Sequence, residues 1–557
     1  MARRLLGLLA TLAVASTSED FGMSYGQRLA LRDAVVEMHG HAHRAYMAHA
    51  FPHDELMPLS CQGRRWDKRR RGTLDDVLGG YLMTLVDGAD TMLTIGDYES
   101  FAATLDVIAT TLTFDRDVTV STFEACIRVL GGLLSAHYLV TADALRPAVL
   151  RAATNASDPA AAVDRWARSL RSLATDLGRR LLPAFDTPTG IPAHRVNLRR
   201  GVATSESRET CSAAAGTMLL EMSRLSALTG DGRFEAAARR ALDELWRRRS
   251  KVTDLVGSTV HTHTGQWLAP NTGVGAGVDS YYEYMVKAAI FLDDAPLLHR
   301  GLAGVRAAHN ETSFRDPASA LLWNVEVYRD SGRYYGHRVS ALQAFWPSLL
   351  LMAGDVGAAR DTFKAYWSVW RKYKSLPELF DLSKNDVLTF AKDSPLRPEL
   401  AESALHLYLR TRDAHFLVVG RELVAALNNI SRVPCGFASI ADATTHRLDD
   451  RMDSYFFAET LKYLFLLFDL SLDPVDRKSF FCCDDDVLDD VDDENADGAP
   501  YSDAKGCPPA GACVRLDRTL FSTEGHFFEV PFPEALGPFG SLKAGLEPVC
   551  DARAGAM

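Results

Sequence analysis

The stretch Leu228-Thr229-Gly230-Asp231-Gly232-Arg233-Phe234 ends one segment of helical periodicity and begins the next. A glycine stops the first helix, an aspartate caps the second, and a phenylalanine returns the chain to the core. Similar phrases occur at 95–101 and at 409–416, the latter without the glycine. Each phrase predicts a helical hairpin, and repeated hairpins stack to bury their shared apolar faces. The sequence therefore predicts an all-α fold that can close into an α/α toroid.

Strand-like alternation is sparse until 515–531, where β-branched and aromatic residues predict a short hairpin. The segment 482–512 is acidic and then rich in proline and glycine, which predicts a solvated, partly disordered insertion. Its acids lack the spacing of an EF-hand. We therefore expect one helical domain over 24–531 that contains this insertion, followed by a tail at 532–557. Apolar residues recur at helical spacing in segments that include 74–93, 123–139, 213–228, 281–292, 401–409 and 455–468.

The N-terminus has the layout of a secretory signal peptide. Arg3 and Arg4 precede an apolar run at 5–14, which ends in small residues, so residues 1–15 are predicted to be the signal, or a membrane anchor if it is not cleaved. No later segment is expected to be long and apolar enough to span a bilayer. A lumenal or extracellular location is consistent with three N-glycosylation sequons, at Asn155, Asn310 and Asn429.

The charge balance argues against a nucleic-acid partner, because the 557-residue chain carries a net charge of −11. The basic run at 64–71 is interpreted as a solvated loop. The nine cysteines are an odd number, so one thiol is left free or pairs with another protein. A C-terminal group of cysteines lacks the paired spacing of a zinc site and favours structural bridges: Cys482, Cys483, Cys507, Cys513 and Cys550.

Several acids lie inside otherwise apolar helical segments, where a carboxylate is costly unless it is paired, hydrogen-bonded or functional. Glu124 and Arg128 are four residues apart, which a simple ion pair would also explain. Tyr281 and Tyr282, beside Asp279, suit either a sugar-binding wall or ordinary core packing. So many acids on separate helices predict a polar barrel interior for a hydroxyl-rich ligand, a metal, or both. The set is Asp87, Asp90, Glu124, Glu221, Asp279, Glu283, Glu399, Glu402 and Glu459.

Taken together, these phrases resemble the class I α-1,2-mannosidases, glycoside hydrolase family 47. The resemblance is carried, in order, by 53–59, 87–91, 123–134, 279–283, 342–345, 397–399, 457–464 and 523–524. Within the family, 57–61, 433–436 and 523–526 look more like the branch of ER degradation-enhancing α-mannosidase-like proteins. Cys61 and Cys435 each lie beside one of these motifs, and we expect a disulfide between them.

The resemblance implies an (α/α)7 barrel closed by a C-terminal β-hairpin, with a calcium ion in the cavity. Glu124 matches the general acid, Glu399 the general base, and Asp279 a further catalytic carboxylate. Thr523 matches the residue that binds Ca2+ through its carbonyl and hydroxyl oxygens, an arrangement that leaves room for water and sugar hydroxyls. The residues expected to line the pocket and hold the sugar are Asp90, Arg128, Glu221, Glu283, Arg397, Glu402, Glu459 and Glu524.

The implied function is a calcium-dependent, inverting glycosidase of the α-1,2-mannosidase type, which removes terminal mannose from high-mannose N-glycans of misfolded glycoproteins in the endoplasmic reticulum lumen. A disulfide-isomerase-type oxidoreductase is an expected partner. The alternative is a lectin-like or client-binding protein with weak or partner-dependent activity. Two departures from the processing enzymes bear on this alternative: Asp453 replaces a pocket glutamate, and Ser522 replaces the asparagine before the threonine.

Overall fold

The computed structural model describes residues 22–482 and 514–530. The predicted signal at 1–15, the acidic insertion beyond Cys482, the tail at 532–557 and the predicted bridges among the C-terminal cysteines lie outside the described residues. Those four predictions stay predictions.

The described helices form two concentric layers. The inner helices are almost wholly buried, and each packs against an outer helix that follows or precedes it in the chain. The last inner helix packs against the first outer helix, which closes the ring and confirms the predicted (α/α)7 barrel. The inner helices are Met83–Thr94, Thr122–Thr141, Leu219–Thr229, Asp279–Phe291, Trp346–Met352, Glu399–Thr411 and Leu461–Asp469. The outer helices are Tyr25–His49, Tyr98–Thr111, Pro159–Leu181, Arg233–Arg247, Ala295–Thr312, Val356–Tyr373 and His415–Ala426.

Shorter helical segments extend or connect these fourteen. Two π-helical segments precede or interrupt inner helices, and a third ends an outer one; they are Phe456–Thr460, Ala125–Leu130 and Leu427–Ser431. The remaining short α and 3-10 segments are Gly72–Asp75, Asp143–Leu145, Arg146–Ala152, Ala153–Asn155, Leu182–Phe185, Ser212–Gly216, Ala341–Phe345, Pro474–Asp476 and Leu516–Arg518.

The repeated phrase ends its helices as predicted, with one substitution. Gly230 ends its helix in the left-handed conformation, with φ of 76°. In the copy that lacks glycine, Arg412 takes this conformation instead, with φ of 53°. Asp97 accepts a hydrogen bond from the backbone N–H of Ser100 and so caps the following helix. The predicted aspartate cap is present only in this first copy, because the helices Arg233–Arg247 and His415–Ala426 have Gly232 and Ala414 at their N-caps, without a side-chain hydrogen bond. The aromatic residue of each copy is buried, as expected: Phe101, Phe234 and Phe416.

Short strands connect the helices in antiparallel pairs or triplets, except for the parallel pair Phe481–Cys482 and Val514–Arg515. The antiparallel sets are Glu55–Met57 with Gln62–Arg64, Thr119–Ser121 with Arg195–Asn197, Glu209–Cys211 with Thr259–His261, Asn271–Thr272 with Glu326–Tyr328 and Tyr334–Gly336, Ser313–Arg315 with Leu322–Asn324, Arg338–Ser340 with Leu379–Asp381 and Asp386–Val387, Arg432–Val433 with Gly436–Phe437, and Ser439–Asp442 with Arg447–Asp449.

A disulfide joins Cys61 to Cys435, which confirms the expected pairing. Each cysteine lies in the turn of a strand pair, so the bridge ties two connections that are 374 residues apart in sequence. Cys126 and Cys211, which belong to the described part of the chain, are free.

The predicted C-terminal hairpin is also confirmed. Thr519–Phe521 pairs antiparallel with Phe527–Glu529, and Leu520 lies opposite Phe528. The hairpin turn, residues 522–526, is largely buried, and the aromatic side chains of the strands are at most 2% exposed. The second strand packs against the inner helix Thr122–Thr141, so the hairpin fills the barrel from within.

Two expectations from the sequence require correction. The run at 64–71 is only in part a solvated loop, because Arg71 and Arg64 form ion pairs with the buried Asp75. Among the described residues, Thr122–Thr141 is long and apolar enough to cross a membrane, although no such segment was expected. This inner helix is apolar on all sides because neighbours surround it, and 83% of its apolar window is buried in the fold.

Gly132 permits the close approach of two inner helices, and its substitution tests the packing. A Cβ atom at this position would lie 2.6 Å from the carbonyl oxygen of Val86. We expect Gly132→Ala to lower the free energy of unfolding by about 1–3 kcal/mol, as overpacking does, measured from the urea midpoint. The control Gly26→Ala, in a helix where nothing lies within 4 Å, should leave the midpoint unchanged or raise it slightly. Equal effects of the two substitutions would contradict the packing described.

Candidate active site

The predicted site residues converge on a cavity of about 260 Å³ at the beginnings of the inner helices. Asp279 and Glu399 are the first residues of their helices, where the helix dipole favours a carboxylate. The hairpin turn contributes the floor through Thr523 and Glu524. Ten of the twelve predicted residues line the cavity: Glu124, Arg128, Asp279, Glu283, Arg397, Glu399, Glu402, Glu459, Thr523 and Glu524.

Arg128 links the first inner wall to the hairpin. Its Nε lies 2.7 Å from Glu124 Oε2, so the simple i,i+4 ion pair is present. Its Nη1 also pairs with Glu524, and its guanidinium lies 5.3 Å from the centroid of the Tyr455 ring. Arg128 therefore does more than neutralise Glu124, because it ties this acid to the turn.

Asp279 and Glu399 are buried carboxyl groups with raised pKa values. Burial raises the pKa of Asp279 to about 7, although the backbone N–H of Ser280 donates to it at 2.9 Å. Burial likewise raises the pKa of Glu399 to about 7, against the attraction of Arg397, whose Nη1 is 3.8 Å away. A carboxyl group with a pKa near neutral suits proton transfer.

A second group of acids surrounds the hairpin turn. Lys287 pairs with Glu283, and burial raises the pKa of Glu402 to about 8. Glu459 shares a hydrogen bond with Glu524, and burial together with the neighbouring Glu524 charge raises the pKa of Glu459 well above its usual range. The cavity lining thus holds seven carboxyl groups but only two guanidinium groups among its described residues.

Two predicted residues lie behind the cavity and do not line it. Asp90 is fully enclosed by Lys462 at 2.8 Å, His526 at 2.9 Å and the hydroxyl of Ser135 at 2.8 Å. Burial opposes its ionisation, but Lys462 and His526 hold its pKa at about 2. Direct sugar contact is not available to it, since its oxygens are used by these partners.

Glu221 is the second of these residues. It accepts a hydrogen bond from the Tyr284 hydroxyl at 2.5 Å, and that hydroxyl accepts one from the backbone N–H of Thr523 at 3.4 Å. Burial raises the pKa of Glu221 to about 7. Glu221 therefore reaches the hairpin turn through Tyr284 instead of facing a ligand.

The sequence analysis missed the cations and the histidine that hold the hairpin turn. His526 contacts Asp87 through Nε2 at 3.1 Å and Asp90 through Nδ1. Lys462 donates to the carbonyl of Gly525 at 2.7 Å, and Lys287 to that of Ser522 at 3.4 Å. Both lysines lie within apolar helices. A charged side chain in an apolar helix indicates a buried partner, so these lysines could have been identified by the same reasoning as the acids.

The two departures from the family pattern do not touch the cavity. Asp453 pairs with Arg451 at 2.7 Å and accepts from the Tyr455 hydroxyl at 2.9 Å, so it supports the wall instead of lining the pocket. The Ser522 hydroxyl oxygen accepts from the backbone N–H groups of Glu524 and His526, which stabilises the turn. Neither change bears on substrate contact.

The donor set fits an oxygen-coordinated cation. Within 22–482 and 514–530, no group of three or more histidine, cysteine, aspartate or glutamate side chains is placed to hold a metal directly. Thr523 lines the cavity, and neither its carbonyl nor its hydroxyl oxygen has a hydrogen-bond partner in this part of the chain. Two such oxygens beside an excess of carboxyl groups are the ligand type that calcium prefers.

A cavity lined by several carboxyl groups is the arrangement that glycoside hydrolases use, since their reaction needs a pair of Asp or Glu residues. Comparison with known proteins agrees, since residues 38–481 match the profile described as Glycosyl hydrolase family 47. The chain belongs to this family. The expectation of a glycoside hydrolase of the α-1,2-mannosidase type is thereby confirmed at the level of the family.

Similar proteins extend over most of the chain. It is 41% identical over 500 residues to "Alpha-mannosidase I MNS4" of Arabidopsis thaliana, covering 90% of this chain and 70% of that protein. It is 42% identical over 438 residues to human "ER degradation-enhancing alpha-mannosidase-like protein 2", covering 79% and 70%. The solved structure of an alpha-1,2-mannosidase from Trichoderma reesei superposes with a TM-score of 0.71 at 24% identity, covering 90% and 99%, and shows the same fold.

Lys462 tests the anchoring of the hairpin turn. We expect Lys462→Met to lower the free energy of unfolding by about 3–5 kcal/mol, because it removes a buried cation and leaves His526 alone to neutralise Asp90. The measurement is chemical denaturation. Lys364→Met, which breaks an ion pair with Asp361 between side chains that are 63% and 38% exposed, should cost less than about 1 kcal/mol. A small effect at Lys462 would show that the hairpin is held by its apolar strands alone.

Proposed function

We propose that this chain is a calcium-dependent, inverting glycosidase that removes terminal α-1,2-linked mannose from high-mannose N-glycans. We further propose that it acts in the lumen of the endoplasmic reticulum, in the degradation of misfolded glycoproteins. The observation that carries the proposal is the convergence of Glu124, Asp279 and Glu399 on one cavity whose floor is Thr523. Family membership and the printed names of its relatives supply the linkage, the substrate class and the compartment.

In the proposed reaction, Glu124 gives a proton to the leaving oxygen, directly or through a water, and Glu399 takes a proton from the attacking water. An inverting hydrolysis needs this division of roles between two carboxyl groups on opposite faces of the sugar. The raised pKa of Glu399, about 7, suits a base that works near neutral pH. Asp279, the first residue of another inner helix, further raises the pKa of Glu399 by like-charge repulsion.

Thr523 would hold the calcium ion through its carbonyl and hydroxyl oxygens, while Glu283, Glu402, Glu459 and Glu524 would hold its water shell. The bound ion would supply further oxygen-coordination positions for vicinal sugar hydroxyls and water. The excess of carboxyl groups over guanidinium groups in the lining favours a cation there.

The proposed compartment is supported by two kinds of observation. Asn155, Asn310 and Asn429, the sequon asparagines, are all exposed. The Cys61–Cys435 disulfide suits an oxidising lumen. We propose a disulfide-isomerase-type oxidoreductase as a partner, because this bridge joins cysteines that are 374 residues apart in sequence.

The carboxylate roles are tested by substitution. We expect Glu124→Gln and Glu399→Gln each to lower kcat for mannose release by about 10²–10⁴-fold, since each removes one proton transfer. The measurement is release of mannose from a purified high-mannose glycan. Glu99→Gln, on an outer helix and exposed, is the matched control and should keep full activity. Undiminished release by both cavity variants would refute the mechanism, and glycan binding by the wild type without release would favour a lectin-like protein.

The calcium site is tested by removal and by substitution. We expect a calcium chelator to abolish mannose release and added Ca2+ to restore it. Thr523→Ala, which removes one of the two proposed ligand oxygens, should raise the Ca2+ concentration required for half-maximal release. Thr110→Ala, on an exposed outer surface, should not. Full activity of the chelated wild type would show that the pocket works without the ion.

A further inference from the structure

Lys287 lies between the cavity acids and the hairpin turn. It belongs to the inner helix Asp279–Phe291 and is 2% exposed. Its Nζ pairs with Glu283, which lines the cavity, and donates to the carbonyl of Ser522. Its charge also acts on Glu402 and on His406, which belong to the inner helix Glu399–Thr411. No sequence motif assigned a role to this residue.

The contact with Ser522 has a specific geometric effect. The carbonyl of Ser522 and the N–H of Thr523 belong to one peptide plane. The oxygen end of this plane accepts from Lys287 at 3.4 Å and from the backbone N–H of Gly525 at 3.1 Å, while the Tyr284 hydroxyl accepts from the nitrogen end at 3.4 Å. Tyr284 and Lys287 are three residues apart, so they lie on the same face of one helix. Both ends of the plane are thus held from a single rigid element.

We infer that Lys287, together with Tyr284, is a positioning residue that orients Thr523 toward the cavity so that its oxygens can bind calcium. With the preceding peptide plane fixed from behind, the Thr523 carbonyl and hydroxyl are left without protein partners in the described chain. This inference rests on the proposed calcium site and assigns to two buried side chains the task of building it. Partners behind a ligand are known to affect metal affinity strongly.

Positioning and plain electrostatics predict opposite results when Lys287 is neutralised. An ammonium group near a cation site repels the cation, so its removal alone should tighten calcium binding. If Lys287 orients the ligand residue, its removal should weaken binding instead. Tyr284→Phe removes the hold on the same peptide plane without any change of charge, which makes it an independent arm of the test.

The experiment is a calorimetric titration of the full chain with Ca2+ alone, which measures the calcium dissociation constant. We expect Lys287→Met to weaken calcium binding by about tenfold or more, as happens when a residue that orients a metal ligand is removed. Tyr284→Phe should also weaken it, and Lys287→Arg, which keeps the charge and the donors, should weaken it less than Lys287→Met. Gly420→Ala, whose Cβ would lie 2.5 Å from Leu467 Cδ2 where an outer helix packs on an inner one, should bind calcium like the wild type.

The outcomes separate this inference from the proposed function. A Lys287→Met variant that binds calcium as tightly as the wild type, or more tightly, overturns the inference alone. If that variant does not fold, unchanged affinity in Tyr284→Phe overturns it in the same way. A wild type that binds no calcium overturns the proposed cofactor as well. Weakened binding in both variants, with normal binding by Gly420→Ala, supports the positioning role.

Discussion

The ion network around Asp90 is the constraint on which the rest of the site depends. Two carboxylates, Asp87 and Asp90, face the imidazole of His526, and Lys462 completes the set. Both ring nitrogens of His526 face carboxylate oxygens, so the ring is a doubly donating imidazolium, and these carboxylates raise its pKa to about 9 despite burial. The positive charges of Lys462 and His526 therefore balance the negative charges of Asp87 and Asp90, whereas burial of any one of these charges alone would be strongly destabilising. This balance allows a polar turn to stay in the middle of an apolar barrel.

The position of the hairpin turn in turn determines which acids can share the cavity. Arg128 contacts Glu124 on one side and Glu524 on the other, so one guanidinium serves both the helix and the turn. Glu399 and Glu402 keep their protons more readily because burial outweighs the attraction of Arg397 and Lys287, which leaves their pKa values at about 7 and about 8. The same burial that makes the cavity costly to build thus gives it carboxyl groups that can exchange protons near neutral pH.

Local sequence signals predicted the elements well because the causes of those elements are local. The helix-ending phrases, the late hairpin and the acids at helix beginnings follow from capping, periodicity and composition. The roles of Asp90 and Glu221 could not be separated from those of the lining acids, because their partners are distant in sequence. Asp90 meets His526 across 436 residues, and Glu221 meets Tyr284 across 63. Spacing on one helix shows which face an acid occupies, but not which partner fills that face. Asp453 illustrates the same limit. The sequence placed it in the pocket, but its carboxylate pairs with Arg451 outside the cavity.

The residues of the site come from distant parts of the chain. Glu124 lies near the start of the barrel, and the turn that completes its surroundings is separated from Arg128 by 396 residues. Contacts of this range form only after the loop-closure entropy of the intervening chain has been offset by packing. Lys462, which binds the turn, belongs to the last inner helix, and that helix packs against the first outer helix and closes the ring. The cavity is therefore a property of the closed barrel as a whole, and no subset of its hairpins contains it.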